Sequence, residues 1–460
     1  MSAPLARRLA VALVAVLLLA CRSTDAPTPV PAADLEDART RWTAADSEPL
    51  ADSEPPDAAA ASSRPAIALA DGLALDEALE LCAWLSPRLR LARLEAAAPR
   101  AAIPFAGRWD DPKVSLEARR VLGGVDEPEI LGAGIAFTIP LGGQKRAALE
   151  TARAKGDVAT FEARVEEWNA LYELRREWIE WTRDGRHIEL LDRLAKDLDE
   201  LIAIARRLAD GGVIGLADVR ILELEQGTRG IERRRLDAAH RGRRLSILAS
   251  IGLSAKSTTE LVPHDAVALV PIALADRPRH LAEHHPELSL ALVRARLANA
   301  LDDEAWRKAL PELTVEPGYE REDGEDKVGV ALEATLPLWN ANRAERAEAA
   351  AAARAAKLAV LAKYKGLLDT LATKELELEA AAAIATTVET ALMPLARAQL
   401  EALREQARLG SLDALRLIEA VVRRHETEAE LIDARRDHAL AAIAMNQILD
   451  DAQPHAELAR

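Results

Sequence analysis

One pattern occurs twice in this sequence and leaves few ways for it to fold. Residues 135–147 and 332–344 share Thr-x-Pro-Leu-x-x-x-x-Arg-Ala, so that Thr138, Pro140, Leu141, Arg146 and Ala147 correspond to Thr335, Pro337, Leu338, Arg343 and Ala344. Each copy follows a segment of alternating polarity that reads as a strand. Each then runs into a helical pattern of about 65 residues, 143–209 and 342–408. At ~1.5 Å per residue such a helix reaches about 100 Å, far beyond an ordinary globular helix. Leu191, Leu194, Leu198, Leu201, Ala205 and Leu208 step by three and four residues, the seam of a coiled coil, and Leu361, Tyr364, Leu368 and Leu371 repeat it. Pro394, inside the second long segment, is expected to kink it.

The correspondence extends over most of the chain at a spacing of about 198 residues. Ser86-Pro87-Arg88-Leu89 matches His285-Pro286-Glu287-Leu288, Pro112-Lys113-Val114 matches Pro311-Glu312-Leu313, and a break at Gly212 matches one at Gly410. The period is too long for a solenoid, so the chain is a duplicated unit. The first repeat covers 71–260, with a short helix at about 75–98, a β-hairpin over 112–139 and a long helical hairpin over 143–252. A connector, 261–276, leads to the second repeat, 277–452, with a short helix at about 277–300, a β-hairpin over 311–336 and a helical hairpin over 342–450. In the hairpins Val114, Leu116 and Ala118, then Leu131, Ala133, Ile135, Phe137 and Ile139, alternate with polar or small residues. Leu313, Val315, Pro317 and Tyr319, then Val328, Val330, Leu332, Ala334 and Leu336, do the same, giving each hairpin one apolar face.

Bulk properties remove several function classes. Aromatic residues make up 3% of the chain while Ala, Leu, Glu and Arg dominate, the bias of long helices. A net charge of −15 argues against a nucleic-acid partner, since phosphate binding needs a basic face. Two cysteines exclude a disulfide scaffold and a four-cysteine zinc site. No apolar run reaches 20 residues, so no transmembrane helix is expected. There is no nucleophile–base set, phosphate loop or dinucleotide fingerprint, and no catalytic residue, cofactor or metal is assigned.

The N-terminus reads as an export signal over 1–20: Arg7 and Arg8 precede an apolar core, Leu9 to Ala20, too short to span a bilayer. Leu18-Leu19-Ala20-Cys21 resembles the bacterial lipobox, which makes Cys21 the lipidated first residue of the mature protein. Arg22 stands where an aspartate would favour retention in the inner membrane, so the outer membrane is the expected destination. Residues 21–70 are rich in Pro, Ala, Asp, Glu and Ser, and are expected to form an acidic, disordered tether.

Strands of about 9–11 residues with period-two alternation suit a tilted membrane barrel. Four strands cannot close one, and open edges are not tolerated in lipid, so several copies must share it. In its duplicated strand–proline–long-helix plan, its Thr-x-Pro-Leu segments, its Gly-centred helix turns and its opening helix Leu73-Ala74-Leu75-Asp76-Glu77-Ala78-Leu79, residues 72–450 resemble the TolC-like outer-membrane efflux proteins. The resemblance implies a mainly α fold with β: a homotrimer with a 12-stranded outer-membrane β-barrel continuous with a periplasmic coiled-coil α-barrel. It also implies a passive conduit that meets a periplasmic adaptor (membrane fusion) protein and an inner-membrane pump. The Pro-Leu-Trp-Asn-x-Asn form of the second copy looks most like the branch serving metal-cation pumps of the resistance-nodulation-division type.

Several residues follow as candidate sites. Pro140 and Pro337 would be the joints between barrel and helices, where a residue without N–H and with fixed φ suits the exit from a strand. By resemblance, Gly212 and Gly410 mark the periplasmic tip, and Asp218 and Glu419 would surround a charged constriction whose acids, repeated around the axis, favour cations; Arg416 stands where a second acid would match Asp218, with which it could pair across the closed tip. The plainer alternative for Asp218 is a helix start favoured by the dipole. His280, His284 and His285 show i,i+4 spacing but lack a full metal motif, and read as packing or exposed residues. Trp109, Trp339 and Tyr319 suit a membrane interface, while Trp168, Trp178 and Trp181 suit a coiled-coil core and Cys82 a buried small residue. The competing reading is a lipid-anchored periplasmic coiled-coil scaffold without a pore, which would have no use for four apolar-faced strands.

Overall fold

The protein is described here by a computed structural model covering residues 72–120, 129–322, 325–408 and 414–449. Leu253–Thr258 belongs to a small separate unit, and everything below concerns the larger one. Its first half runs α1 (Leu75–Leu85), α2 (Pro87–Ala102), β1 (Lys113–Arg120), β2 (Glu129–Pro140), α3 (Gln144–Asp210) and α4 (Leu216–Ile251). Its second half runs α5 (Arg277–His284), α6 (Pro286–Arg307), β3 (Glu312–Glu322), β4 (Glu325–Ala334), α7 (Arg343–Thr387), a π-helical turn (Val388–Leu392), α8 (Met393–Arg408) and α9 (Ala414–Leu449). The four strands form one antiparallel sheet in the order β1-β2-β3-β4, so the two hairpins join through β2 and β3.

Where the sequence pattern suggests one short helix in each half, the chain forms two. Pro87 and Pro286 each occupy the first turn of a new helix, and the residues before them, Ser86 and His285, have ψ of 120° and 125°. Proline drives its predecessor out of the helical region, so each helix must restart. Pro394 acts differently. The helix passes through it, but the ladder widens to a π turn over Val388–Leu392, which contains Thr390, the residue whose carbonyl the ring would crowd.

The coiled-coil seam of α3 is largely buried where the spacing places it. Leu191, Leu194, Leu198 and Ala205 of α3 are buried, and the last three share a core with Val219 and Leu222 of α4, Leu400 of α8, and Leu417, Ala420 and Val421 of α9. Leu367 and Leu371 of α7 pack with Leu281, Leu288, Met445 and Ile448. Leu361 and Leu368, which the pattern puts in the seam, are instead 60% exposed and half-buried respectively, because the buried stripe of α7 passes through Tyr364, Leu367 and Leu371. Trp168, Trp178 and Trp181 are buried, Trp168 in a cluster with Tyr172, Ile179 and Ile443. The stretch Arg343–Gln406 contains a window apolar enough by length and composition to cross a membrane, with a mean hydropathy of only 1.2, which its alanines supply.

Apart from a bridge between Leu261 and Leu73 the connector has no regular structure, and side chains of the long helices tie it down. Trp178 Nε1 donates to the Val262 carbonyl (3.0 Å) and the His264 N–H donates to Thr182 Oγ1 (3.1 Å). Asn446 stands in for a strand partner: its Oδ1 accepts from the Val270 N–H (2.9 Å) and its Nδ2 donates to the Ala268 carbonyl (2.7 Å). A buried ionic group ties the helices at the same level. Asp184, 2% exposed, accepts from Arg183 (3.0 Å) and Arg243 (2.9 Å). Arg183 also reaches Asp433 on α9 (2.7 Å), which bonds His187 (3.1 Å). Only Asp184 is fully buried, so losing both of its arginine partners would strand an uncompensated charge in the interior.

Candidate functional site

The sheet separates its side chains into two unlike faces. Leu116 stands opposite Ala133, Ala133 opposite Tyr319, and Tyr319 opposite Val328. Phe137 likewise stands opposite Val315, and Val315 opposite Leu332. With Val114 and Ile135 these residues form one apolar surface across all four strands, and it is exposed, Val328 to 86%. A contiguous apolar face of this kind is foreign to a soluble surface. The other face is polar or bare. Ser115, Gly134, Gly318 and Gly329 form one row across the sheet, and Glu117, Gly132, Glu320 and Lys327 the next. The Ser115 hydroxyl donates to the Glu316 carboxylate, which lies in the space a Cβ on Gly134 would fill. This glycine row was not singled out from sequence, although glycine recurring at alternate strand positions is its signal.

β1 and β4 each have one partner among the described residues, leaving two open edges. Pro317 explains a local gap. Ile135 and Ala136 have no register partner on β3, while Pro317 keeps Val330 on β4, as expected if the missing N–H would have faced β2.

The two joints are built differently. Pro140 is the last residue of β2 and pairs with Glu312. Pro337 lies beyond the end of β4 at Ala334, because its neighbour β3 begins at Glu312 and offers no partner further on; the alternation that runs to Leu336 overstates the strand. Both helices nevertheless start from a left-handed residue, Gly143 (φ 74°) before α3 and Asn342 (φ 52°) before α7. Both starts are tied to the end of α6. Arg307 Nη1 donates to the Gly142 carbonyl (3.1 Å) and Gln144 Nε2 to the Leu310 carbonyl (3.2 Å). Asn342 Nδ2 donates to the Ala305 carbonyl (3.2 Å) and to Glu345 (2.8 Å).

At the opposite end of α3, Gly212 adopts φ 73° and lets the chain turn, and the Val213 N–H closes the helix on the Leu208 carbonyl (2.9 Å). Asp218 lies in the first turn of α4, where its Oδ2 accepts from the Gly215 N–H (3.1 Å). Arg416 and Glu419 are exposed on α9, next to Leu417 and Ala420 of the core that joins both helical hairpins. Gly410 and Cys21 lie outside the described residues.

The histidines are absorbed by packing. His280 Nε2 meets the Leu449 carbonyl (2.8 Å), His280 and His284 stack at 4.5 Å, and buried His285 accepts from the Glu287 N–H (3.2 Å) edge-on to Trp168. No group of His, Cys, Asp and Glu able to hold a metal occurs among the described residues. Burial pushes the Cys82 thiol up to about 11, so it stays protonated. Trp109 and Trp339 are exposed, Trp339 to 85%.

No family model and no curated protein matches this sequence. Solved structures do. The outer-membrane channel OprN is 19% identical and superposes with a TM-score of 0.71, covering 83% of this chain and 91% of that one. The outer-membrane protein VceC from Vibrio cholerae is 16% identical with a TM-score of 0.69, covering 82% and 96%. CusC, whose structures concern folding and transmembrane channel formation, is 13% identical with a TM-score of 0.69, covering 82% and 91%.

Proposed function

From the TolC-like fold of this chain, mainly helical with one antiparallel sheet, we infer an outer-membrane conduit of a tripartite efflux system. The observation that carries this reading is the sheet: one continuous apolar face, one polar face and two open edges. A single copy leaves both the face and the edges unsatisfied. Three copies pairing β4 of one with β1 of the next would give twelve strands, with the apolar face toward lipid and the glycine and glutamate rows toward water. The long helices would continue below as a periplasmic tunnel.

In this arrangement Pro140 and Pro337 sit at alternating joints around a pseudo-sixfold ring. Gly212 and Gly410 turn the chain at the periplasmic tip that meets the adaptor, where the acids Asp218 and Glu419 favour cations and Arg416 pairs with Asp218 across the closed tip. Substrate reaches the tunnel from an inner-membrane pump through that adaptor, so no chemistry is required of this chain. Metal cations are the proposed cargo, on the form of the Pro-Leu-Trp-Asn-x-Asn segment, and Cys21 is the proposed lipid anchor. The test is to extract the protein from outer membranes and measure its size and its single-channel conductance. A trimer that conducts is the expected result, and a soluble, non-conducting monomer would remove the reading.

A further inference from the structure

This chain is dense in ion pairs, and one cleft gathers several charges that have none among the described residues. Just beyond the joint of the second half, α6 and α7 enclose a cleft of about 590 Å³ lined by Asn299, Asp302, Asp303, Trp306, Arg343 and Arg346. Asp303 is bonded to Arg307 (2.7 Å). Asp302, Arg343 and Arg346, in contrast, have no side-chain hydrogen bond or ion pair with any described residue, although all three border the same cleft. On the other side of this helix pair Lys308 bridges Glu304 (3.1 Å) and Glu345 (3.3 Å), so that side satisfies its own charges.

We propose that this cleft binds the phosphoethanolamine headgroup of a membrane lipid. Two guanidinium groups one helical turn apart match a phosphodiester, which Arg recognises through charge-assisted, often paired hydrogen bonds. Asp302 across the cleft supplies the counter-charge for the ammonium, and the Asn299 amide offers a further donor to phosphate or glycerol oxygen. The depth is right for a headgroup. β4 ends at Ala334, the exposed Leu336, Leu338 and Trp339 follow, and Arg343 comes next, so the cleft sits where the apolar surface gives way to charge. Trp306, 48% exposed at the rim, is the residue type that settles at this boundary. A zwitterionic headgroup uses all three unpaired charges. A purely anionic one would leave Asp302 facing phosphate.

The proposal rests on the membrane reading above, and its test separates the two. The full chain is placed in bilayers of mixed phosphatidylethanolamine and phosphatidylglycerol, and retained lipid is measured by native mass spectrometry. The wild type is expected to retain phosphatidylethanolamine preferentially. R343Q/R346Q should lower that retention about tenfold through loss of two charge-assisted contacts, and D302N should abolish the preference over phosphatidylglycerol. Equal retention by wild type and R343Q/R346Q, both with native melting curves, would overturn the proposal. So would displacement of the lipid by millimolar soluble glycerophosphoethanolamine, which would make a water-borne phosphodiester the occupant. Conductance of the same bilayers is the separate readout. A silent wild type removes the conduit, whereas a conducting wild type with unselective lipid retention removes only the headgroup site.

Discussion

Asp218 shows how one side chain can carry a structural and a transport role that different substitutions pull apart. Its carboxylate caps α4 by accepting from the Gly215 N–H, so D218A is expected to lower stability by about 1 kcal/mol. D218N keeps an acceptor oxygen and loses only the charge. Thermal unfolding should therefore report D218A, while a reduced reversal potential in a salt gradient should report D218N and E419Q if both acids line the constriction. An unchanged reversal potential confines Asp218 to capping. Two histidines give a second expectation at this scale. Burial holds His285 at about 4, and burial followed by the nearby Arg229 holds His425 at about 4, against an ordinary 6.5. The unfolded chain takes up these protons near pH 6.5 and the native chain does not, so their stability is full above 6.5 and falls as pH drops toward 4. The loss is about 3 kcal/mol each. Asp433 titrates in a lower window: burial would raise it, but hydrogen bonds from His187 and Arg183 hold it well below the usual carboxylate range. Its contribution is lost only as pH falls below about 4. Melting curves from pH 7.5 to 4 should thus slope downward with acid, and H425Q should flatten the slope.

At the scale of elements, the joints decide how strand becomes helix. Asn342 combines a left-handed backbone with two hydrogen bonds, to the Ala305 carbonyl and to Glu345. N342G keeps the backbone and loses the bonds, an expected cost of about 1 kcal/mol. N342V loses the bonds and places a β-branched residue at positive φ, an expected cost of about 3 kcal/mol. The order wild type, N342G, N342V in chemical denaturation checks this, and equal costs would show that dihedral strain is irrelevant there. These elements also mark where the sequence stops being legible. The long α3 could be read because its 3-4 leucine spacing is local, and the strands because their alternation is local. The restarts at Pro87 and Pro286 left a local mark too, but one that an apolar pattern running through it conceals. Asn342 left none: Gly143 advertises a left-handed residue, whereas Asn342 is identified only by the carbonyl it finds on α6. The strap formed by the connector is equally silent, since Trp178 and Asn446 hold it from 84 and 178 or fewer residues away in sequence. The end of β4 is hidden for a related reason. Alternation continues to Leu336, but a strand persists only where a neighbour holds its backbone, and β3, the one described neighbour of β4, begins at Glu312, next to the partner of Ala334.

The whole molecule poses the question that no local pattern answers, which is what covers the sheet. An apolar face and two open edges cannot both face water, and lipid accepts the face only if the edges are closed. Adjacent residues of β4 separate the two environments. Val330 points to the apolar side and Gly329 to the row shared with Gly318 and Gly134. If β4 is a barrel strand with its apolar side in lipid, V330R puts a charge near mid-membrane at a cost of about 2–4 kcal/mol in each copy, whereas a charge on the lumen side is tolerated. V330R is therefore expected to prevent assembly into a membrane-inserted oligomer. G329R is expected to assemble and to narrow the bore at the glycine row, lowering single-channel conductance. The pair is informative because the two substitutions are adjacent, add the same side chain and differ only in the face they reach. If both variants assembled and conducted like wild type, the sheet would not be a barrel wall. If G329R rather than V330R blocked insertion, the two faces would be assigned the wrong way round.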